Sequence, residues 1–432
     1  MKGRYDVVVI GSGPGGIGAA VTAAQWGARV AIVEKNVLGG VCVNRGCIPT
    51  KTFLNTAILY NKIREADKYG IIVQGPGIDY RKMVDHIGDV TGEVRRGVEA
   101  VSKVNGIEII KDIGRLGSKA SIWVGDKEFA ADNIIIATGS RPRGLPGLPF
   151  DNKRIFSSEQ FLDSLSGMDR LPDKITIAGA GYIGCEWAGI LSSLGVAVTL
   201  TEKESQILPG MDHDLTRLLE KSLKQKGVAV KLNTMVIEAP KGKVIVCIGR
   251  EPVTEGFEKV EKTDEGWIKV DKYMRTSLPN VYAVGDVVGP PLLAYTAQKE
   301  GEIAAGNAVK QKTAINYIRH RVIPVVVFSI PEIAVAGVEE KNNADTVTVR
   351  AYFKGLGRAL ADGDTEGMVK ITYNKKDYRL IKVGIAGHRA GDLINEAVLA
   401  LERGLTVKEW AGRVWPHPVL SEIFGAALAK VK

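Results

Sequence analysis

The chain has 432 residues, 45% of them hydrophobic and 25% charged, with 50 glycines, more than the roughly 7% average. The length exceeds one ordinary core and points to two to four domains of roughly 100–200 residues, while the glycines point to many tight turns. The net charge of +9 is scattered rather than gathered into a basic run with interleaved aromatics, which argues against nucleic acid.

From Met1 the chain runs through Lys2 and Arg4 into Asp6 and an apolar strand, with no leader-like apolar region before it. Four cysteines are too few for a secreted disulfide scaffold, so a reducing, cytoplasmic setting is expected. Val7 to Ile10 is followed by Gly11-Ser-Gly13-Pro-Gly-Gly16, an alanine-rich helix and a second strand ending at Glu34. In such a βαβ unit Gly11 permits the tight turn, Gly13 lets backbone approach a pyrophosphate, and Gly16 brings helix against strand. The helix N-terminus then offers free N–H groups to phosphate.

Next come Gly39-Gly-Val-Cys42-Val-Asn-Arg-Gly-Cys47-Ile-Pro-Thr-Lys51. Zinc would need two further ligands, and neither Cys185, within a later helix, nor Cys247, in an apolar strand, is placed to supply them, so no metal site is expected and both read as packing residues. A disulfide across so short a loop opens and closes with little rearrangement, and a helix beginning near Pro49 would lower the pKa of Cys47 through its dipole. The bland alternative is two unrelated reduced cysteines.

A second βαβ unit starts at Ile175, with Gly179-Ala-Gly181-Tyr-Ile-Gly184, a helix to about Leu194, a strand Val196 to Thr201, and Glu202. Glu202 follows Gly179 by the same 23 positions that separate Glu34 from Gly11. One glycine signature is a weak signal, but two in full context predict two dinucleotide sites. A carboxylate there accepts ribose hydroxyls and repels a 2′-phosphate, so Glu34 suits the adenosine of FAD and Glu202 suits NAD; Lys203 leaves NADP open, and a solvated strand-end acid is the plain alternative. Further on, the most apolar late segment, Val322 to Val338, is interrupted by Pro324, Pro331 and Glu332, so no membrane span is expected.

Of the five histidines, His86, His213, His320 and His388 have no telling neighbours and read as surface or structural. His417 differs, because Pro418 follows it and Glu422 lies five positions on, at the start of the last helix. A carboxylate bound to one imidazole nitrogen orients the ring and raises its basicity, and oxidising a dithiol at neutral pH needs a base.

With these motifs in place the chain resembles the pyridine nucleotide-disulfide oxidoreductases, the dihydrolipoamide dehydrogenases most of all. The resemblance spans nearly the whole chain, through both glycine turns, the dithiol, Ile136-Ala-Thr138-Gly139, Glu186, Gly249-Arg250-Glu-Pro252, Val281-Tyr-Ala-Val-Gly285-Asp286, Pro331-Glu332 and His417-Pro418-Val-Leu-Ser-Glu422. It implies an α/β fold with two Rossmann-like FAD/NAD(P)-binding domains and a C-terminal α+β dimerisation domain. It implies Cys47 as the thiol against flavin, Cys42 as the thiol that meets substrate, and Lys51 paired with Glu186 near flavin N5. Asp286 would bind the ribityl chain, and the helix starting near Ala294 would aim its N-terminus at the flavin. Tyr182 would either cover the flavin face until nicotinamide displaces it or simply pack.

The same resemblance implies a homodimer in which His417 serves the dithiol of the other subunit. The expected domains are residues 1–145 (FAD, first part), 146–255 (NAD, shortened), 256–312 (FAD, second part) and 313–432 (dimerisation). The expected activity is oxidation of dihydrolipoamide, free or carried on a lipoyl-bearing protein, with NAD. The alternatives are an NAD(P)H-dependent reductase of another small disulfide and a non-catalytic FAD-binding subunit. Three departures stand out: a short stretch from Leu232 to Gly249 in place of a longer antiparallel crossover, Trp415 two residues before His417, and Tyr295 before the flavin-facing helix, where relatives usually carry histidines at the latter two positions.

Overall fold

A computed structural model describes residues 4–117, 121–236, 238, 240–309, 322–338 and 345–431. His320 and the expected boundary at 312/313 lie outside the described residues. The apolar run after Asp6 forms the strand Tyr5–Ile10, whose Val7 to Ile10 are all buried, as expected of a central parallel strand covered on both faces. It pairs in parallel with Val30–Val33 and with Lys127–Ile136. A late strand, Val281–Ala283, joins the same sheet, with Ala283 level with Ile136 as Ile10 is. Gly285 and Asp286 are thereby delivered to the sheet edge that carries the first glycine turn.

The second sheet has five parallel strands in the order Ala229–Lys231, Ala197–Thr201, Lys174–Ala178, Lys243–Val246, Ile155–Ser157. The link between Ala229–Lys231 and Lys243–Val246 contains no strand among the described residues. The chain passes between the first two sheets through Ser140–Pro142 and Arg250–Pro252, which pair antiparallel and make a two-strand hinge.

The third sheet is antiparallel, in the order Val325–Val327, Glu332–Gly337, Leu380–Gly387, Gly367–Asn374, Thr346–Tyr352. Helices Ala390–Glu402 and Glu422–Leu428 pack on it through a core that includes Val383, Ile385, Ile394, Trp410 and Phe424. The Trp410 and Phe424 rings lie 5.0 Å apart. Each such fully buried large side chain contributes about 1.5–3 kcal/mol. The first sheet also carries the antiparallel strands Gly114–Leu116 and Ser121–Val124 beside Lys127–Ile136, so the architecture is one mixed and one parallel α/β unit and one antiparallel α+β unit, the α/β and α+β classes expected.

A further cluster joins units rather than filling one. Phe53, on the helix Cys47–Arg64, meets Trp187, on the helix Tyr182–Ser193, edge to face at 5.7 Å, and Phe161 meets Trp187 at 5.2 Å. All three rings are fully buried. The helix that starts at the dithiol is therefore locked against the helix of the second nucleotide fold.

Candidate active site

The two glycine turns repeat one geometry. Gly11 has φ +103° and Gly179 φ +99°, in the left-handed region, and a Cβ on either would strike a neighbouring carbonyl, Ala137 O at 2.3 Å or Cys247 O at 2.5 Å. The third glycines have no room either, since a Cβ on Gly16 would sit 2.0 Å from Gly11 O and one on Gly184 would sit 1.9 Å from Gly179 O. Gly11 and Gly179 directly follow the strands Tyr5–Ile10 and Lys174–Ala178, so the third glycine stands where the helix meets the strand end. The middle glycines differ: a Cβ on Gly13 or Gly181 would meet no protein atom within 4 Å. Protein atoms thus account for the outer glycines, while the middle one presents bare backbone at a helix N-terminus that no side chain caps, which fits a pyrophosphate.

The two acids are also equivalent. Buried Glu34 accepts from Ser12 N at 2.9 Å, Ser12 Oγ at 2.7 Å and Asn36 N at 2.8 Å. Buried Glu202 accepts from Ala180 N at 2.8 Å and Glu204 N at 3.1 Å. Each carboxylate ties the end of the second strand to the glycine turn, where ribose hydroxyls would meet it. Lys203 turns towards Glu204, at 3.5 Å.

Cys42 lies on the short helix Gly40–Arg45, and Cys47 is the first residue of the helix Cys47–Arg64, so that helix starts two residues before Pro49, where it was expected. Both cysteines are free thiols, and each is only partly exposed. A hydrogen bond between them divides their acidity. Cys47 falls to about 7, first because Cys42 donates to it and then because of the Lys51 ammonium, against burial and the Glu186 charge. Cys42 is pushed far above the ordinary thiol range by the same hydrogen bond, then by burial and the Cys47 charge. The helix end, expected to lower the Cys47 pKa, does so through the backbone N–H of Cys47, less than Cys42 and Lys51 do.

Lys51 Nζ stands 2.7 Å from Glu186 Oε2, joining the dithiol helix to the second nucleotide fold. The other oxygen, Glu186 Oε1, accepts from Phe328 N at 3.0 Å. The Phe328 ring lies under the ammonium, 4.7 Å from Nζ to its centroid. Nothing in the sequence pointed to Phe328, an aromatic residue within an apolar run.

At the hinge, Arg250 donates to Ser140 Oγ at 2.6 Å, Ser140 O at 2.8 Å and Glu159 Oε1 at 2.8 Å. Ser140 Oγ in turn donates to Asp286 Oδ2 at 2.5 Å. The Arg250 guanidinium thus holds the hinge and reaches Asp286 through Ser140. Thr138 Oγ1 donates to Val253 O at 2.6 Å, while Gly139 at φ +71° and Gly249 at φ +112° leave open space where a Cβ would be. Glu300, another residue the sequence did not flag, is buried, accepts from Gly285 N at 2.7 Å, and is raised by burial to about 7. The helix Ala294–Val309 starts as expected, and Thr296 Oγ1 in its first turn is buried without a protein partner. Tyr182 and Tyr295 are both exposed near the two glycine-bearing edges, and Tyr295 donates to Pro324 O.

His417 Nδ1 lies 2.9 Å from Glu422 Oε1, and Glu422 Oε2 accepts from Val419 N at 2.9 Å. The imidazole is 75% exposed, so the oriented ring faces outward. Val419, Leu420 and Ser421 line a pocket with Lys62. Lys62 is fifteen residues, about 22 Å, along its helix from Cys47. The loop bearing His417 therefore lies beside the far end of the dithiol helix, remote from the dithiol of its own chain.

Two smaller expectations need correction. His388 has a telling neighbour, Asp364 Oδ2 at 3.7 Å from Nε2, and burial pulls its pKa down. Cys247 lies one residue past the strand Lys243–Val246 rather than in it. Burial raises Cys185 and Cys247 above the ordinary thiol range, which fits packing residues. Among the described residues no group of histidines, cysteines and acids could hold a metal ion, and no helix is long and apolar enough to cross a membrane.

Comparison with known proteins agrees with this geometry. Residues 5–301 match the family described as pyridine nucleotide-disulphide oxidoreductase, and residues 323–428 match its dimerisation domain, which supports a homodimer. The chain is 36% identical to a dihydrolipoyl dehydrogenase of Bacillus subtilis over 97% of this chain and 94% of that one. A dihydrolipoyl dehydrogenase of Thermus scotoductus is also 36% identical, over 97% of this chain and 95% of its own. Among solved structures, LpdA from Mycobacterium tuberculosis superposes with a TM-score of 0.90 at 26% identity, covering 99% of each chain. The fold is shared with the HOCl-induced flavoprotein disulfide reductase RclA of Escherichia coli, at a TM-score of 0.88 and 24% identity over 99% of this chain and 100% of that one.

Proposed function

The chain belongs to the pyridine nucleotide-disulphide oxidoreductases, a family that uses FAD and NAD(H), and on that premise we propose that it oxidises a dithiol of the lipoyl kind at Cys42 and Cys47, with His417 of a second copy as base. The observation that carries this reading is the placement of Cys42 and Cys47 on adjoining helices beside the Lys51–Glu186 ion pair, with Cys47, lowered by Cys42 and Lys51, as the more acidic thiol. In thiol–disulfide exchange the sulfur of lower pKa leaves faster. A substrate thiolate therefore attacks Cys42 Sγ of the Cys42–Cys47 disulfide, and Cys47 departs as thiolate.

His417, oriented by Glu422, takes the proton of the attacking thiol. The second substrate thiol, deprotonated in turn, attacks the substrate sulfur bonded to Cys42. That bond breaks, the substrate closes as a cyclic disulfide, and two electrons remain on Cys42 and Cys47. Gly11, Gly13, Gly16, Glu34, Thr138, Gly139, Asp286 and the helix from Ala294 would hold FAD, which would supply a two-electron carrier between this dithiol and NAD. Gly179, Gly181, Gly184 and Glu202 would hold the NAD, and Gly249 and Arg250 set the hinge between the two nucleotide sites. Lys51 and Glu186 place a fixed charge pair where the two sites meet. In this reading the domains divide as expected from the sequence, the substrate is carried by a lipoyl-bearing protein or is free dihydrolipoamide, and the setting is cytoplasmic.

Steady-state turnover with dihydrolipoamide and NAD tests the reading, with oxidised glutathione and other small disulfides plus NADH or NADPH as comparators. Fast dihydrolipoamide oxidation is expected. Negligible turnover beside a faster disulfide reduction would move the chain to the reductase reading.

A further inference from the structure

Resting on the dithiol reading above, we propose that Phe328 is a positioning residue that holds the Lys51 ammonium in its place between Glu186 and the dithiol. Two contacts from one residue carry the inference. The Phe328 ring lies 4.7 Å from Lys51 Nζ, within cation–π range, and its backbone N–H occupies Glu186 Oε1 at 3.0 Å, leaving Oε2 for Lys51 at 2.7 Å. The ion pair is thereby fixed from both members at once.

The placement in the chain gives these contacts their meaning. Lys51 belongs to the dithiol helix, Glu186 to the second nucleotide fold, and Phe328 follows the first strand of the third sheet. Lysine has four rotatable side-chain bonds, and here 31% of its side chain is exposed, so a salt bridge alone would leave it room to swing outward. A partly covered aromatic face removes that freedom. The charged and titratable groups around Cys47 are Cys42 from the short helix, Lys51 from its own helix and Glu186 from the facing one. Among them Lys51 is the one mobile cation, so its position decides how strongly the Cys47 thiolate is favoured.

A side-chain substitution separates the two contacts, because the backbone N–H to Glu186 survives it. The experiment uses holoenzyme carrying Cys42→Ser, in which no disulfide forms, and titrates against pH the long-wavelength absorbance of the Cys47 thiolate against the flavin. Adding Phe328→Leu is expected to move the midpoint up by about half a unit, while Phe328→Tyr, which keeps the ring, leaves it in place. Phe328→Met replaces Phe328→Leu should the latter not fold. An unmoved midpoint in Phe328→Leu or Phe328→Met, or an equal shift in Phe328→Tyr, overturns the inference alone. A parent Cys42→Ser protein with no such band overturns the dithiol reading and this inference with it.

Discussion

At the scale of single residues, the account turns on charge placed next to sulfur. Cys47, lowered to about 7, carries its negative charge above that pH and loses it as pH falls through it. A Lys51→Met variant removes the cation, so the pH dependence of dithiol turnover should shift upward, read as the acid limb of kcat/KM against pH. Glu300 gives a prediction of opposite sign. Burial raises it to about 7 from an ordinary 4.5, so the folded protein holds a proton that the unfolded chain releases. Stability therefore falls as pH rises from 4.5 to about 7, by up to about 3 kcal/mol. Glu300→Gln keeps an acceptor for Gly285 N–H and should flatten that fall in thermal unfolding; an unchanged slope would contradict the burial argument.

At the scale of elements, the glycine turns were legible because their logic is local: strand, turn, helix and acid lie within one short span, and sterics at Gly11, Gly179 and the two acids follow from that span alone. A Gly184→Ala change would put a Cβ 1.9 Å from Gly179 O, and a loss of about 1–3 kcal/mol in denaturant unfolding is expected. The dithiol and the His417–Glu422 pair were legible for the same reason, being close in sequence. What the sequence hid lies in long-range contacts without a polar signature. Phe328 reaches Lys51 from far along the chain, and an aromatic residue among valines carries no mark of that role. Arg250 was read as a cofactor residue, yet its guanidinium sits against Ser140 and Glu159 at the hinge. Arg250→Ala leaves Glu159, 15% exposed, without its partner and should cost about 2–4 kcal/mol, with weaker retention of FAD as Asp286 loses its support.

At the scale of the whole molecule, His417 lies apart from the dithiol of its own chain, so the base proposed above would have to come from a second copy. Mixed dimers of Cys42→Ser and His417→Gln, each inactive alone, should regain activity, since one of the two sites then holds an intact dithiol and an intact base. No recovery on mixing and refolding would place the base elsewhere. The third sheet, matched over residues 323–428 to a dimerisation domain, would thus supply both the partner's base and, through Phe328, a contact to Lys51 of its own chain. The second unit has five parallel strands and the buried Glu202, which would serve the NAD site proposed above. The central claim, that electrons enter at Cys42 and Cys47, is tested most directly by anaerobic titration of the holoenzyme with dihydrolipoamide. The account predicts uptake of two electrons in the wild-type protein with a long-wavelength thiolate band, and none in Cys47→Ser; a wild-type flavin spectrum that dihydrolipoamide leaves unchanged, or a Cys47→Ser protein that is reduced as readily, would contradict it.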